Sequence, residues 1–267
     1  MPELPEVETV VRGLNAQVKG RTIRSIPHIA DHLKLRDSKL GSLRGDTFLK
    51  FTRRGKYIIA ALDSGRQLMI HLRMSGRVLI LGAGSKRDKH DHFVATFTNG
   101  TEKLVFRDTR KFGVIQFVDN TRSDGYSTLG IEATHVTFPK LAALLSSSNR
   151  PVKALLLDQT ALAGLGNIYA DESLYWSRIH PLRPCRKVKR DEIRNLAANI
   201  RLILKNAVNK MGTTFDSYSG VNGNPGEYSE YLRVYNREGE FCRRCGDTIK
   251  KIRAAGRGTH FCPSCQK

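Results

Sequence analysis

Two places in this 267-residue sequence hold residue types whose spacing suits chemistry. The first is the chain start, Met1-Pro2-Glu3-Leu4-Pro5-Glu6. A second-position proline favours removal of the initiator methionine, which leaves a secondary amine on Pro2. An α-amine with a pKa of about 8 is partly deprotonated near neutral pH, so it is nucleophilic without the large shift a buried lysine needs. Its adduct with a glycosidic carbon is an iminium, a cation that acidifies the adjacent C–H. Glu3, beside it, suits proton transfer. Glu3 and Glu6 equally suit the positive end of a helix starting here, and from the residues alone both readings stand.

The second place is the chain end. Cys242-x-x-Cys245 is followed by 16 residues and then Cys262-x-x-Cys265. Two such knuckles fit one tetrahedral zinc held by four thiolates, a filled shell and so a structural ion. Cys185 is isolated, and five cysteines without an export signal argue against a disulfide framework. Arg257 lies between glycines 256 and 258, where a tight turn would push it outward against a phosphate.

Charge narrows the partner. Lys plus Arg number 45 against 25 acidic residues, a formal +20. Such a field attracts polyanions, and the basic residues are spread along the chain, which favours nucleic acid over a membrane surface. No apolar run approaches the roughly 20 residues of a membrane span. The expectation is a soluble cytoplasmic protein. Against nucleic acid, Pro2 attack on a nucleotide C1′ would displace the base, and the iminium would drive loss of the 3′ phosphate.

These residues need elements to position them. Leu4, Val7, Val11 and Leu14 recur at helical spacing, with Pro5 in the first turn and Gly20 as the stop. From about residue 22 to 119 the pattern is short strands broken by Gly55, Gly65 and Gly76, as in a sandwich or barrel. Asn99-Gly100 between two of them predicts a type I′ hairpin. Helical spacing resumes over 138–145, 152–158, 167–178 and 191–211. A glycine-rich stretch from 217 to 227 predicts a mobile loop, and a β-type segment holds the cysteines. The fold class is α+β: a β-sandwich domain with a leading helix over 1–119, a linker over 120–134, a helical domain over 135–228, and a zinc finger over 229–267.

Several blocks together resemble the bacterial formamidopyrimidine-DNA glycosylases. They are Met1–Thr9, Arg54-Gly55-Lys56-Tyr57, His71–Gly76, Lys89-His90-Asp91-His92, Arg107–Gly113, Gly164–Glu172 and Gly256–Gln266, running from the first residue nearly to the last. The resemblance implies a β-sandwich, a helix–two-turn–helix domain with a β-hairpin zinc finger, and damaged double-stranded DNA in the cleft between domains. It implies a bifunctional glycosylase and lyase acting on oxidised purines as a monomer, with β,δ-elimination.

By motif, Pro2 is the nucleophile, Glu3 its acid/base partner, Lys56 the aid to β-elimination and Arg257 to δ-elimination. His71, His90, Asn167 and Arg257 match phosphate contacts. Met74, Arg110 and Phe112 match residues that fill the gap left by an extruded nucleotide. Residues 146–149 replace a lysine-rich stretch that bears a DNA contact in relatives, leaving Arg150 or Lys153 as its substitute. Ile131 stands where the family usually has Pro, and Asn236 where Gly is usual. Residues 216–228 correspond to the loop that covers the damaged base. A sibling reading is an endonuclease VIII-like enzyme for oxidised pyrimidines; Leu4-Pro5 and Gly256–His260 favour the purine branch. A reading from another class is a non-catalytic zinc-finger DNA-binding protein, against which stands the set Pro2, Glu3, Lys56 and Arg257.

Overall fold

Apolar spacing and turn residues set most element boundaries in the computed structural model, which describes residues 1–118, 125–214 and 220–267. The chain divides into two units: Met1–Ser127 with Lys210–Glu227, and Thr128–Asn209 with Tyr228–Lys267.

In the first unit, helix α1 (Leu4–Gln17) buries Val7, Val10, Val11 and Leu14 along one face. Strand β1 (Ile23–Ile29) comes next, then the short helix α2 (Asp31–Arg36) and a 3-10 turn (Ser38–Leu43). Neither is foreseen by apolar spacing, because six residues with only Leu33 buried in α2, or only Leu40 and Leu43 in the 3-10 turn, are too few to show a period. The remaining strands are β2 (Phe48–Arg54), β3 (Tyr57–Leu62), β4 (Gln67–His71), β5 (Arg77–Leu81), β6 (Asp91–Phe97), β7 (Lys103–Arg107) and β8 (Val114–Phe117). They form two four-stranded sheets, ordered β1-β6-β7-β5 and β2-β3-β4-β8. All their ladders are antiparallel. Phe48, Phe51, Ile58 and Ile70 of one sheet share a core with Phe93, Phe97, Leu104 and Phe106 of the other and with the α1 face.

The β6–β7 hairpin is not the expected type I′. The last paired residues are Thr96 and Lys103. Gly100 has φ 89°, but Asn99 is not left-handed, as a type I′ turn would require. Arg21 explains the wider loop: it donates to the Asn99 carbonyl and, at 2.9 Å, to Glu102.

The segment Lys210–Glu227, expected from the sequence to join the helical domain, packs in the first unit instead. Residues 216–219 of the expected lesion loop lie outside the described residues. The chain beyond them is anchored: Val221 is buried in the core, and its carbonyl accepts the Ile80 N–H at 3.1 Å. One apolar residue among glycines supplies that anchor.

The second unit contains β9 (Ile131–Glu132), α3 (Phe138–Ser146), α4 (Val152–Leu157), β10 (Leu162–Ala163), α5 (Asn167–Trp176), α6 (Arg190–Asn209) and the hairpin β11 (Lys250–Ala254) and β12 (Arg257–Phe261). Ile193, Leu196, Ile200, Ile203 and Leu204 give α6 a buried stripe, whereas α5 is buried on nearly all sides. Of the expected linker, residues 120–124 lie outside the described residues. The Ile131 N–H donates to the Ala161 carbonyl at 3.1 Å, a bond that proline could not make. Asn236 has φ 58°, a left-handed conformation that glycine adopts freely and asparagine tolerates better than most residues. Among the described residues, no helix is long and apolar enough to cross a membrane.

Candidate functional site

Strand register gathers the first unit's candidates at one end of the sandwich. Tyr57, His71 and Val114 form one row across the β2-β3-β4-β8 sheet. Arg77, Arg107 and Asp91 form a second row across the β1-β6-β7-β5 sheet. Lys56 lies in the turn just before the first row. Residues 72–76 and 108–113 run from one row to the other, carrying Met74, Arg110 and Phe112, and His90 immediately precedes Asp91. Met74, Arg110 and Phe112 are exposed, at 37% for Met74 and 55% for Phe112. Large apolar side chains in water on connecting loops are available as wedges. The Arg110 guanidinium lies 5.0 Å from the centre of the Phe112 ring.

His71 and Lys56 are buried. The Arg73 N–H donates to His71 Nδ1 at 2.9 Å, so the neutral ring carries its proton on Nε2. Burial first, then the charges of Arg73 and Lys56, push the His71 pKa down to about 3. His71 is therefore a neutral N–H donor across the physiological range. His90 is held by its own loop: its N–H donates to Asp88 Oδ1 at 2.8 Å, and Arg107 bonds Asp91 Oδ1 at 2.6 Å.

At the chain start, Pro2 and Glu3 are buried while Met1 is exposed. The Glu3 N–H donates to Glu6 Oε2 at 2.8 Å, and the Thr213 N–H donates to Glu6 Oε1 at 2.7 Å. The Glu3 side chain in turn accepts the Glu6 N–H, so the helix-end reading holds for both glutamates, and Glu6 also ties in the returning segment. With Met1 attached, the Pro2 nitrogen is an amide.

In the second unit, α5 and the finger hairpin share buried polar groups. Asn167 Nδ2 donates to the Gly258 carbonyl at 2.9 Å. Lys153, fully buried, pairs with Asp171 Oδ1 at 2.6 Å and donates to Thr259 Oγ1 at 2.7 Å. Lys153 is therefore structural, and of the two substitute contacts only Arg150 is at the surface, paired with Asp158 at 2.8 Å. Asp171 Oδ2 accepts the His260 N–H at 2.9 Å, and Glu172 accepts the N–H groups of Arg233, Val234 and Tyr235 at 2.9–3.0 Å. Burial raises the Glu172 pKa. Ala255 and Gly256, with φ 51° and 71°, form the two-residue turn between paired Ala254 and Arg257. Two left-handed residues match the type I′ geometry absent at Asn99-Gly100. Arg257 leaves this turn exposed.

The sulfurs of Cys242, Cys245, Cys262 and Cys265 all lie within 4.8 Å of one another. A tetrahedron with Zn–S of about 2.3 Å requires S···S of about 3.8 Å. Observed separations of 3.4 Å (Cys245–Cys262) and 3.9 Å (Cys242–Cys265) bracket that value, so the residues fit one zinc. The Tyr175 hydroxyl, 3.5 Å from Cys242 Sγ, can donate to the thiolate. Four sulfur ligands leave no open position, so the ion would supply structure and not catalysis.

Asp108, Asp171 and Glu172 escaped sequence reasoning as holding residues, although each stands inside a quoted block. Their signal was a carboxylate in a run otherwise destined for burial or a tight loop.

Fold and site define a class: an α+β protein with an antiparallel sandwich unit and a helical unit ending in a four-cysteine zinc finger. The profile of the formamidopyrimidine-DNA glycosylase N-terminal domain matches residues 1–115, that of its H2TH domain 129–219, and that of the zinc finger found in FPG and IleRS 239–267. The formamidopyrimidine-DNA glycosylase of Lactiplantibacillus plantarum is 43% identical over 273 residues, covering 98% of each chain. That of Pelotomaculum thermopropionicum is 40% identical, covering 100% of this chain and 99% of its own. The complex of Lactococcus lactis Fpg with abasic-site DNA superposes with a TM-score of 0.92 at 37% identity, and MutM with carbocyclic 8-oxo-G DNA with 0.89 at 36%; both cover 100% of each chain. This chain belongs to the formamidopyrimidine-DNA glycosylase family of DNA repair enzymes.

Proposed function

We propose that this chain is a bifunctional DNA glycosylase and abasic-site lyase that removes oxidised purines, 8-oxoguanine and formamidopyrimidines, from duplex DNA. The observation that carries the reading is the gathering of Lys56, His71, Met74, His90, Arg110 and Phe112 at one end of one sandwich. The solved relatives hold abasic-site and 8-oxo-G DNA, which supports the same substrate class.

The chemistry begins once the exposed Met1 is cleaved and Pro2 becomes a secondary amine. The damaged nucleotide must first leave the stack, at a cost of a few kcal/mol. Met74 and Phe112 occupy the gap, and Arg110 offers donors to the orphaned base. The Pro2 nitrogen forms a bond to C1′, the glycosidic bond breaks, and the base departs with its electron pair. Glu3 delivers a proton to the ring oxygen, which opens the sugar to an iminium. That cation acidifies C2′–H; loss of the proton expels the 3′ phosphate with help from Lys56. A second elimination expels the 5′ phosphate with help from Arg257. His71, His90, Arg150, Asn167 and Arg257 contact phosphates.

Borohydride reduction tests this directly. It should trap a covalent DNA adduct on Pro2, located by mass spectrometry. Pro2→Gly should slow trapping at least about 100-fold, the scale on which lost nucleophiles are felt. An adduct on another side chain, or active enzyme retaining Met1, would refute the reading. Faster excision of thymine glycol than of 8-oxoguanine would move the chain to the pyrimidine branch.

A further inference from the structure

The three loops that carry Met74, His90, Arg110 and Phe112 meet at one residue that is itself none of the proposed DNA contacts. Asp108 comes just after β7 and is fully buried. Its Oδ1 accepts the Ser75 hydroxyl and the Arg110 N–H, the latter at 3.1 Å. Its Oδ2 accepts the Gly113 N–H at 2.7 Å. Its backbone N–H donates to the His90 carbonyl at 3.0 Å, and its own carbonyl accepts from His92 Nε2 at 2.7 Å. One residue thus bonds the loop after β4, the loop before β6 and its own loop.

Both wedge loops are under local strain. Arg73, just before Met74, has φ 54°, and Lys111, between Arg110 and Phe112, has φ 58°. Non-glycine residues rarely hold this conformation unless the surroundings enforce it. The second loop is also tight at its far end: a Cβ on Gly113 would lie 2.3 Å from Phe106 and 3.1 Å from Asp108 Oδ2. The carboxylate is the acceptor that closes this turn, with the Ser75 hydroxyl linking it to the other strained loop.

We infer that Asp108 is a positioning residue for base extrusion, holding the Met74 wedge and the Arg110–Phe112 wedge as one unit. The inference rests on the proposed gap-filling roles of those three residues. It requires an acceptor at both oxygens. Asparagine has the same shape but offers one acceptor, so its NH2 group must face the Gly113 N–H or else the Ser75 and Arg110 donors.

The test compares two substrates. A lesion within a duplex needs the wedges, whereas a single-stranded abasic site has no stack to open. Asp108→Asn should slow single-turnover excision of 8-oxoguanine opposite cytosine by about 10-fold or more. Its rate ratio for lesions opposite cytosine and adenine should fall towards one. Borohydride trapping on a single-stranded abasic oligonucleotide should stay within about twofold of the unaltered protein. Ser75→Ala severs one tie alone and should give the same selective pattern at about threefold; it decides the matter if Asp108→Asn fails to fold. Parallel loss on both substrates would make Asp108 a general support and overturn the inference, as would no loss on either. Met74→Ala and Phe112→Ala are the control: if both excise from duplex at the normal rate, the wedge reading itself fails, whatever Asp108 does.

Discussion

The sandwich and the finger hold their candidate residues by different means. In the sandwich, two sheets and α1 share an extensive apolar core, and the candidates hang on loops at its end. In the finger, the apolar cluster is Tyr175, Val234, Cys242, Ile249 and Cys262, with Cys265 partly buried against it; half of it is metal ligand. So small a core cannot offset the entropy of ordering the hairpin. The difference is made up by four thiolates around one ion and by two α5 carboxylates that capture finger backbone. The lesson is that a buried carboxylate only refines a loop where the core is large, and replaces the core where it is small.

Removing the metal should therefore separate the regions most sharply. Chelation, or Cys242→Ser, should unfold the hairpin and weaken DNA binding by at least about 100-fold, because metal binding is folding energy in such a site. Hydrogen exchange should show lost protection in β11 and β12 and unchanged protection in β3 and β4. Equal loss in both would contradict the contrast.

Next comes Glu172. Glu172→Ala leaves three N–H donors, that of Val234 buried and those of Arg233 and Tyr235 partly so, without their acceptor and should cost about 3 kcal/mol, read as a lower denaturation midpoint together with weaker zinc retention. A loss confined to the sandwich would reverse the assignment.

His71 gives a smaller effect, in the sandwich alone. Its folded pKa of about 3 lies below the ordinary histidine value of 6.5, so between these values the unfolded chain binds the extra proton. The stability it allows is fully present above pH 6.5 and falls as pH drops, by at most about 1.4 kcal/mol per unit. His71→Gln should flatten the stability profile from about pH 6 to about pH 4; an unchanged slope would mean the ring is already charged in the folded state. The smallest effect is expected at Asn236 of the finger. Asn236→Ala should cost about 1 kcal/mol for its left-handed backbone, with Asn236→Gly within about 0.5 kcal/mol of the parent in thermal melts.

The two hairpins show how much was legible beforehand. Asn99-Gly100 has the residues of a type I′ turn, yet Arg21, distant in sequence, opens it into a wider loop. Ala255-Gly256 has weaker turn residues and adopts the tight turn, since both flanking strands are fastened, β11 by its pairing and β12 also by Asn167 and Asp171. Local preference decided neither case. Lys153 teaches the same: a lysine offered as a DNA contact is consumed by Asp171.

What the sequence by itself determined were properties that depend on residue type and near spacing. These are the positive field, the four-thiolate site, the chain-start proline, the helical periods and the strand breaks at glycine. What only the tertiary structure decided was which carboxylates gather which distant N–H and O–H donors. Asp108, Glu172 and Glu6 take partners 33, 61 and 207 residues away, and no local pattern encodes a distance that only folding closes.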